Sequence, residues 1–447
     1  MEKIRLRSSK KRKHQTLDQK GSALTMVLAV MAVLTVLGFG VIVLSESDSG
    51  LTVRSNRTTK ALHVAEAGIN NYLWHLNSDE DYYATQTHPA QGQDEEGSDR
   101  WVDFEDGKYH LDVTLPQEGD SVITIEATGK VFNPEVNRTI KVELRKKSFL
   151  SYLYFTDAER SETGSEIWWI TGDVVRGDLH TNGDLRISGT PVFEGAVTVS
   201  GQIVEGWGYN PDFQKEYQVG VQPLQLPPGN NQLKEEAQSR GYYYYGETTI
   251  TLNSNGSMNV SNNNDLSTGP TGTVWPPRNG IIYVDGQTDS RNPRRNTNGN
   301  AFLSGTLSGR LTVAAKNNVY ITDNLVYRNQ TEDSQDMLGL VAENFVYVDK
   351  NAPNNIEIHA AILAINHSFG VEDYQSPPAK GTLSIKGAII QKFRGPVGTF
   401  NSRTMRKISG YSKNYSYEKR MKNHQPPYFV EPVNASFEQV SWEEVNR

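Results

Sequence analysis

The 447-residue chain has no cysteine. That excludes disulfide frameworks, thiolate zinc sites and thiol nucleophiles, so stability must come from core burial and backbone pairing. Proline is missing from Gly21 to Asn77, which leaves that stretch free to run as one helix. Long apolar runs are missing everywhere except Gly21 to Leu44, GSALTMVLAVMAVLTVLGFGVIVL. The sequence contains no GxSxG elbow, Walker loop or HExxH pair, so none of the corresponding hydrolase, nucleotide or metalloprotease chemistries is implied. No cofactor and no metal site is expected.

The one apolar run has the length of a membrane-spanning helix and carries no charge. A basic block precedes it, with Lys3, Arg5, Arg7, Lys10, Lys11, Arg12, Lys13 and Lys20 against Glu2 and Asp18. Cationic flanks stay cytoplasmic, which predicts a single-pass protein with its N-terminus inside and its bulk outside. The formal charge of the whole chain is -7, so the part beyond the basic block is acidic. The length is ample for two or three domains.

Three uses of the apolar run compete. A cleavable secretory signal would be shorter and end in a small-x-small site, which VLSESDSG supplies poorly. A plain anchor needs nothing more. A prepilin-type signal would be cut between the leader and the helix, at Gly21-Ser22, and the helix retained. The residues that follow favour the third use over the second. Leu51, Ser55, Thr58, Leu62, Ala65, Ile69, Tyr72 and Leu76 recur at helical spacing and form one mostly apolar stripe. The pattern predicts a leader over 1–21 and one helix over 22–77, half in lipid and half amphipathic.

The basic leader, GSALTMVLAVMAVLTVLG and TTKALHVAEAGINNYLWHL together resemble the N-terminal region of PilX-type minor pilins and related type IV pilin-like proteins. The resemblance implies processing at Gly21 and Ser22 by a prepilin peptidase, and packing against other pilin-like subunits. With Ser22 first, the fifth mature residue is Met26, where major pilins usually place glutamate. That departure points to a minor or tip subunit, or to an anchor that never assembles.

Residues 78–147 read as a loop followed by a three-stranded antiparallel sheet. GKYHLDVTL, SVITIEATGKV and NRTIKVELRK alternate apolar with polar residues, and turn-forming residues separate them. The amphipathic half of the helix is the expected cover for this sheet.

Residues 148–430 are rich in short apolar strands punctuated by glycine and asparagine, with an insertion over 210–275 that holds one helical piece near QLKEEAQSR. Residues 431–447 read as a tail. The expected fold class is therefore α+β followed by mainly β. A long transmembrane and amphipathic helix lies on a small antiparallel sheet, followed by a parallel β-solenoid with coils of unequal length. A β-sandwich is the alternative. GDVVRGDLHTNGDLRISGTPVFEGAVTVSG, LGLVAENFVYV with IEIHAAILAI, and KGTLSIKGAIIQKFRGPVGTF also resemble an uncharacterised domain family of bacterial surface proteins, which brings no activity with it.

Candidate chemistry is sparse. Asp178, His180, Asn182 and Asp184 could converge on a cation, but the position where an EF-hand loop needs its last carboxylate is Gly189, so backbone-bonding turns are favoured. His359 and His367 lack partners at ligand spacing. From Lys392 to Lys422, cations crowd among tyrosines, with Arg403, Arg406, Lys407, Tyr411, Lys413, Tyr415, Lys419, Arg420 and Lys422 foremost; Arg291, Arg294 and Arg295 would extend the group. Such a patch would bind an anionic polymer such as DNA or a cell-wall polymer. The competing reading, which is favoured, is a terminal cap whose tyrosines pack on the last coil.

The expected function is thus that of a non-enzymatic, membrane-anchored surface protein resembling a minor or tip subunit of a type IV pilus or pseudopilus. It would act in assembly, adhesion or polymer uptake, with membrane lipid and pilin-like subunits as partners. The alternative is a permanently anchored extracellular enzyme or binding protein acting on polysaccharide.

Overall fold

The computed structural model describes residues 22–447 apart from 80–81, 83–85, 95–96, 116–121, 289–297, 401–405 and 446–447, with backbone only at 22–23, 25, 40–51 and 400. The protein is mostly β, with two separate apolar cores.

Helix α1, Ser22–Ser78, spans 57 residues without a break, about 85 Å at 1.5 Å per residue. Its C-terminal part buries Ala61, Val64, Ala65, Ile69, Tyr72 and Leu76, steps of three and four that place them on one face. The expected stripe is right from Ala65 onward and fails at Ser55, which is exposed. Beneath lie β1 (Val102–Phe104), β2 (Gly107–Thr114), β3 (Val122–Val131) and β4 (Val136–Lys146), antiparallel in that order. In β3 every second residue is buried, as alternation requires of a sheet with one covered face. Gly129 is where helix and sheet touch: a Cβ there would stand 2.0 Å from the Ala61 carbonyl oxygen. Instead of the expected three strands the sheet has five, because β1 pairs with the outer edge of β2 and Phe437–Val445 adds to the free edge of β4. Asn77 fastens that strand by accepting from the Phe437 amide at 2.6 Å.

The remaining strands build a large, partly parallel sheet of 22 strands, with a smaller parallel set of three beside it. Tyr154–Ala158 lies between Leu179–Thr181 and Ala379–Phe393, parallel to both. On one side the stack continues through Val197–Val199 to Tyr217–Val219. On the other it continues through Ile356–Ala364, Met337–Ala342, Arg310–Ala315 and Ile281–Asp285 to Tyr242–Tyr245. The chain therefore enters the stack in its middle and runs to one end. It then crosses to the far end and returns until Ala379–Phe393 closes on Tyr154–Ala158. The crossing uses an extended segment held by Asn182, which bonds both the amide and the carbonyl of Leu224, and by Asn230, which donates to the Ala315 carbonyl at 3.0 Å. It ends in helix α2, Asn231–Arg240, at the expected helical piece. Within 210–275, Tyr242–Tyr245 and Thr248–Leu252 pair with Ile281–Asp285 and Ala301–Leu307 as members of the stack. A run of four tyrosines hides this role, since it carries no apolar alternation.

Candidate functional sites

The N-terminal part of α1 has no cover. Leu24, Met26, Val27, Leu28, Val30, Met31, Val33, Leu34, Val36, Leu37 and Phe39 are all exposed, Met26 by 71% and Val36 by 72%. At 3.6 residues per turn these positions reach every side of the helix. The Thr35 hydroxyl is satisfied internally, donating to the Met31 carbonyl at 2.7 Å. Burying a large apolar side chain is worth about 1.5–3 kcal/mol, so a sleeve of this size presses for a cover. Among the described residues, however, no helix is long and apolar enough to cross a membrane. The expected span from Gly21 to Leu44 is thus not found as such. Gly21 lies outside the described residues, and only the backbone of Ser22 and of 40–44 is described.

The basic segment does not form one patch, because the fold sends its members to different places. Arg394 is buried, donating to Glu159 at 3.0 Å and lying over the Trp169 ring at 3.9 Å. Glu159 also accepts from Trp169 Nε1 at 2.8 Å and from the Thr156 hydroxyl at 2.5 Å. This node ties the end of Ala379–Phe393 to the residue that follows Tyr154–Ala158. Lys413 reaches Asp173 at 3.6 Å, and Arg176 donates to Asn414 at 2.9 Å, across the same junction. Arg420 is buried against Glu418 through two bonds of 3.0 and 2.9 Å and donates to the Ser334 carbonyl at 2.8 Å. Burial alone would raise the Glu418 carboxyl, but the bonds from Arg420 hold it below its usual range. Lys407 donates to the carbonyls of Lys380 and Gly381. Tyr411 is buried and donates to the Pro353 carbonyl at 2.6 Å, and Tyr415 is buried beside it in the core. Arg406, Lys419 and Lys422 are exposed together with much of Lys413, while Arg403, Arg291, Arg294 and Arg295 lie outside the described residues.

The polar cluster of 178–184 works within the stack. The Asp178 carboxylate accepts from the Ala196 amide at 2.9 Å, and Asp184 accepts from the Gln202 amide at 3.1 Å. His180 stacks on Phe155 and bonds Thr198 and Asn182. Burial lowers its pKa to about 4, so it stays neutral and unfit to carry charge at neutral pH. His359 accepts from the Tyr327 amide and faces Glu357 at 2.8 Å, and burial lowers its pKa too. Among the described residues no group of three acidic, histidine or cysteine side chains could hold a metal ion.

Sequence reasoning missed the regular step behind these contacts. Val192 pairs with Val174, Val197 with Leu179 and Ile203 with Leu185, each eighteen residues on. Gly177 with Gly195, and Gly183 with Gly201, carry that step in the sequence and would have revealed it. Also missed was Trp207, exposed by 91%.

A family profile described as a domain of unknown function, DUF4900, matches residues 108–201, well under half of the chain. Those residues take in β3, β4 and most of β2, and the strands of the stack from Tyr154–Ala158 to Val197–Val199. No curated protein matches the chain. Among solved structures, the competence-associated pilin ComZ from Thermus thermophilus is similar at 12% identity over 87% of this chain and 97% of that one, with a TM-score of 0.29. A likeness of that size does not establish a shared fold.

Proposed function

We propose that the chain is a non-enzymatic surface subunit of the type IV pilus or pseudopilus kind. It is held at the membrane by α1, with its N-terminus inside and its bulk outside, and is then drawn into a bundle of like helices. The observation that carries this reading is the contrast along α1. Its first part is apolar on every side and uncovered, whereas its second part buries one stripe on an antiparallel sheet. Lipid first, and neighbouring pilin-like helices afterwards, supply the missing cover. Met26 in place of a carboxylate suits a minor subunit, since no buried charge then has to find a partner. The parallel registers support a β-solenoid as the outward module. Its exposed cations Arg406, Lys419 and Lys422 remain available to DNA or a wall polymer.

The deciding experiment is mass spectrometry of the mature N-terminus. Cleavage after Gly21 is expected, and Gly21→Val should leave the leader attached and abolish surface assembly. A mature chain that keeps its leader in the unaltered protein rules out the prepilin reading. For polymer binding, charge reversal at Arg406, Lys419 and Lys422 should weaken DNA binding and flatten its salt dependence; unchanged affinity removes that role.

A further inference from the structure

We infer that a groove beside Trp207, at the open end of the stack, is a binding site for a neutral glycan. Trp207 sits in a turn leaving Ile203–Glu205, and this turn is firmly tied down. The Trp207 carbonyl accepts from the Ser188 hydroxyl at 2.9 Å and from the Gly189 amide at 3.0 Å, while the Gly206 amide donates to the Ile187 carbonyl at 2.7 Å. The backbone is thus fixed, yet the indole is 91% exposed. An exposed tryptophan on a mobile loop would be unremarked, but one held outward by three hydrogen bonds is a presented surface.

A second indole lies against the same turn. Trp168 runs along Gly206, where a Cβ would stand 2.6 Å from its ring, so the close approach requires glycine. The two tryptophans, with Ser188 and Glu166, line a groove of about 480 Å³. That volume falls in the range of small-ligand sites, about 300–1,000 Å³. Glu166 meets Arg186 at 3.2 Å at the rim, with the carboxylate more than half exposed and free to accept a second bond.

These features select the ligand. Indole faces are electronegative and attract flat faces of C–H groups. A pyranose with equatorial substituents offers such a face together with a rim of hydroxyls that suit a carboxylate, a guanidinium and a serine. Local charge argues against a polyanion: Asp184, Glu166 and Glu205 outnumber Arg186 around the groove. The groove lies at a sheet edge, because Ile203–Glu205 pairs only with Leu185–Ser188 among the described residues. The inference does not depend on how α1 is covered.

The test is calorimetric titration of the full-length chain in detergent with cellohexaose and chitohexaose, followed also by tryptophan fluorescence. Binding of at least one probe is expected, with Trp207→Ala and Trp168→Ala each weakening it about tenfold or more. Trp207→Phe should retain most of the affinity, and Glu166→Gln should cost less than either indole. Because Trp207 is exposed, an unchanged melting temperature in Trp207→Ala separates lost binding from lost fold. The proposal is overturned if neither probe binds, if both alanine variants bind as the original does, or if Trp207→Ala changes only the oligomeric mass, which would make the groove a protein contact.

Discussion

The module of α1 on its antiparallel sheet and the parallel stack solve the same burial problem with different materials. Under α1 the core is almost wholly apolar, from Ala61 and Tyr72 on the helix to Ile125 and Val142 on the sheet, with His88 the main polar intrusion. The stack, by contrast, buries polar nodes throughout: Glu159 with Arg394, Glu418 with Arg420, His180 and His359. An asparagine ladder also runs from Asn300 to Asn317 to Asn344 at 2.9 and 2.8 Å. The difference reflects what each architecture leaves undetermined. Alternation on a three- or five-stranded sheet with one covered face already fixes its register, since a one-residue slip would turn every apolar side chain outward. A stack of similar parallel strands, largely buried, tolerates slips much better, and a buried charge that is satisfied at only one position penalises them. On this view the polar nodes specify which strand meets which.

The sharpest way to break the comparison is Arg394→Met. Leaving Glu159 buried without its partner should cost about 3–5 kcal/mol, read as a lower denaturant midpoint. Adding Glu159→Leu should recover most of that loss while coil pairing becomes less uniform by hydrogen exchange. Full recovery with unchanged exchange would show that the node adds nothing to register.

Acid separates the modules next. His88 under α1 and His180 in the stack each have pKa values lowered to about 4, by burial in both and by His75 as well for His88. Between the unfolded value near 6.5 and about 4 the unfolded chain binds more protons, so stability is intact at neutral pH and falls as pH drops through that window. The loss should be on the order of 2 kcal/mol per histidine. His88→Gln should remove the acid sensitivity of the helix module alone, and an unchanged profile would contradict the assignment.

Gly129→Ala tests the apolar module where backbone meets backbone. The added methyl would push α1 off β3 and cost about 1–3 kcal/mol, with the stack's melting transition unmoved. The smallest effect is expected at Glu431, near the joint between the modules, which accepts from Gln425 at 2.6 Å and whose pKa burial raises to about 7. A raised carboxyl favours folding below its unfolded value and loses that contribution as pH climbs toward 7. Glu431→Gln should therefore gain roughly 1–2 kcal/mol at pH 8 and nothing at pH 4; equal stability at both would show the group is solvated.

How much of this could be read from the sequence depended on whether its cause was local. The helix was legible from the missing prolines and the spacing of Ala65, Ile69, Tyr72 and Leu76, and β2 to β4 from their alternation. The fifth strand was not. Its pairing with β4 shifts register between Gln439 and Ser441, which scrambles the alternation in FEQVSWEEV. The cations of 392–422 were visible as a group, but their partners were not, because Glu159 precedes Arg394 by 235 residues. Charge density along a chain says nothing about which carboxylate a fold will bring beside it. The helix beyond residue 61 found its sheet; the part from Leu24 to Phe39 shows only that something must cover it.

A stack entered at its middle also constrains the order in which it can form. A chain made from its N-terminus delivers Tyr154–Ala158 long before Ala379–Phe393 exists to pair with it. Until then the first strands of the stack have one unfilled edge, open to wrong strands, including those of other copies. Pairings this distant in sequence close slowly, because loop entropy must be overcome before any contact rewards it. The extended crossing that Asn182 and Asn230 hold, and the final strand that returns to β4, then act as late closing steps. A chain cut before Ala379 would lose the strand that pairs with Tyr154–Ala158, so damage at the far end of the sequence should surface as misfolding at Tyr154.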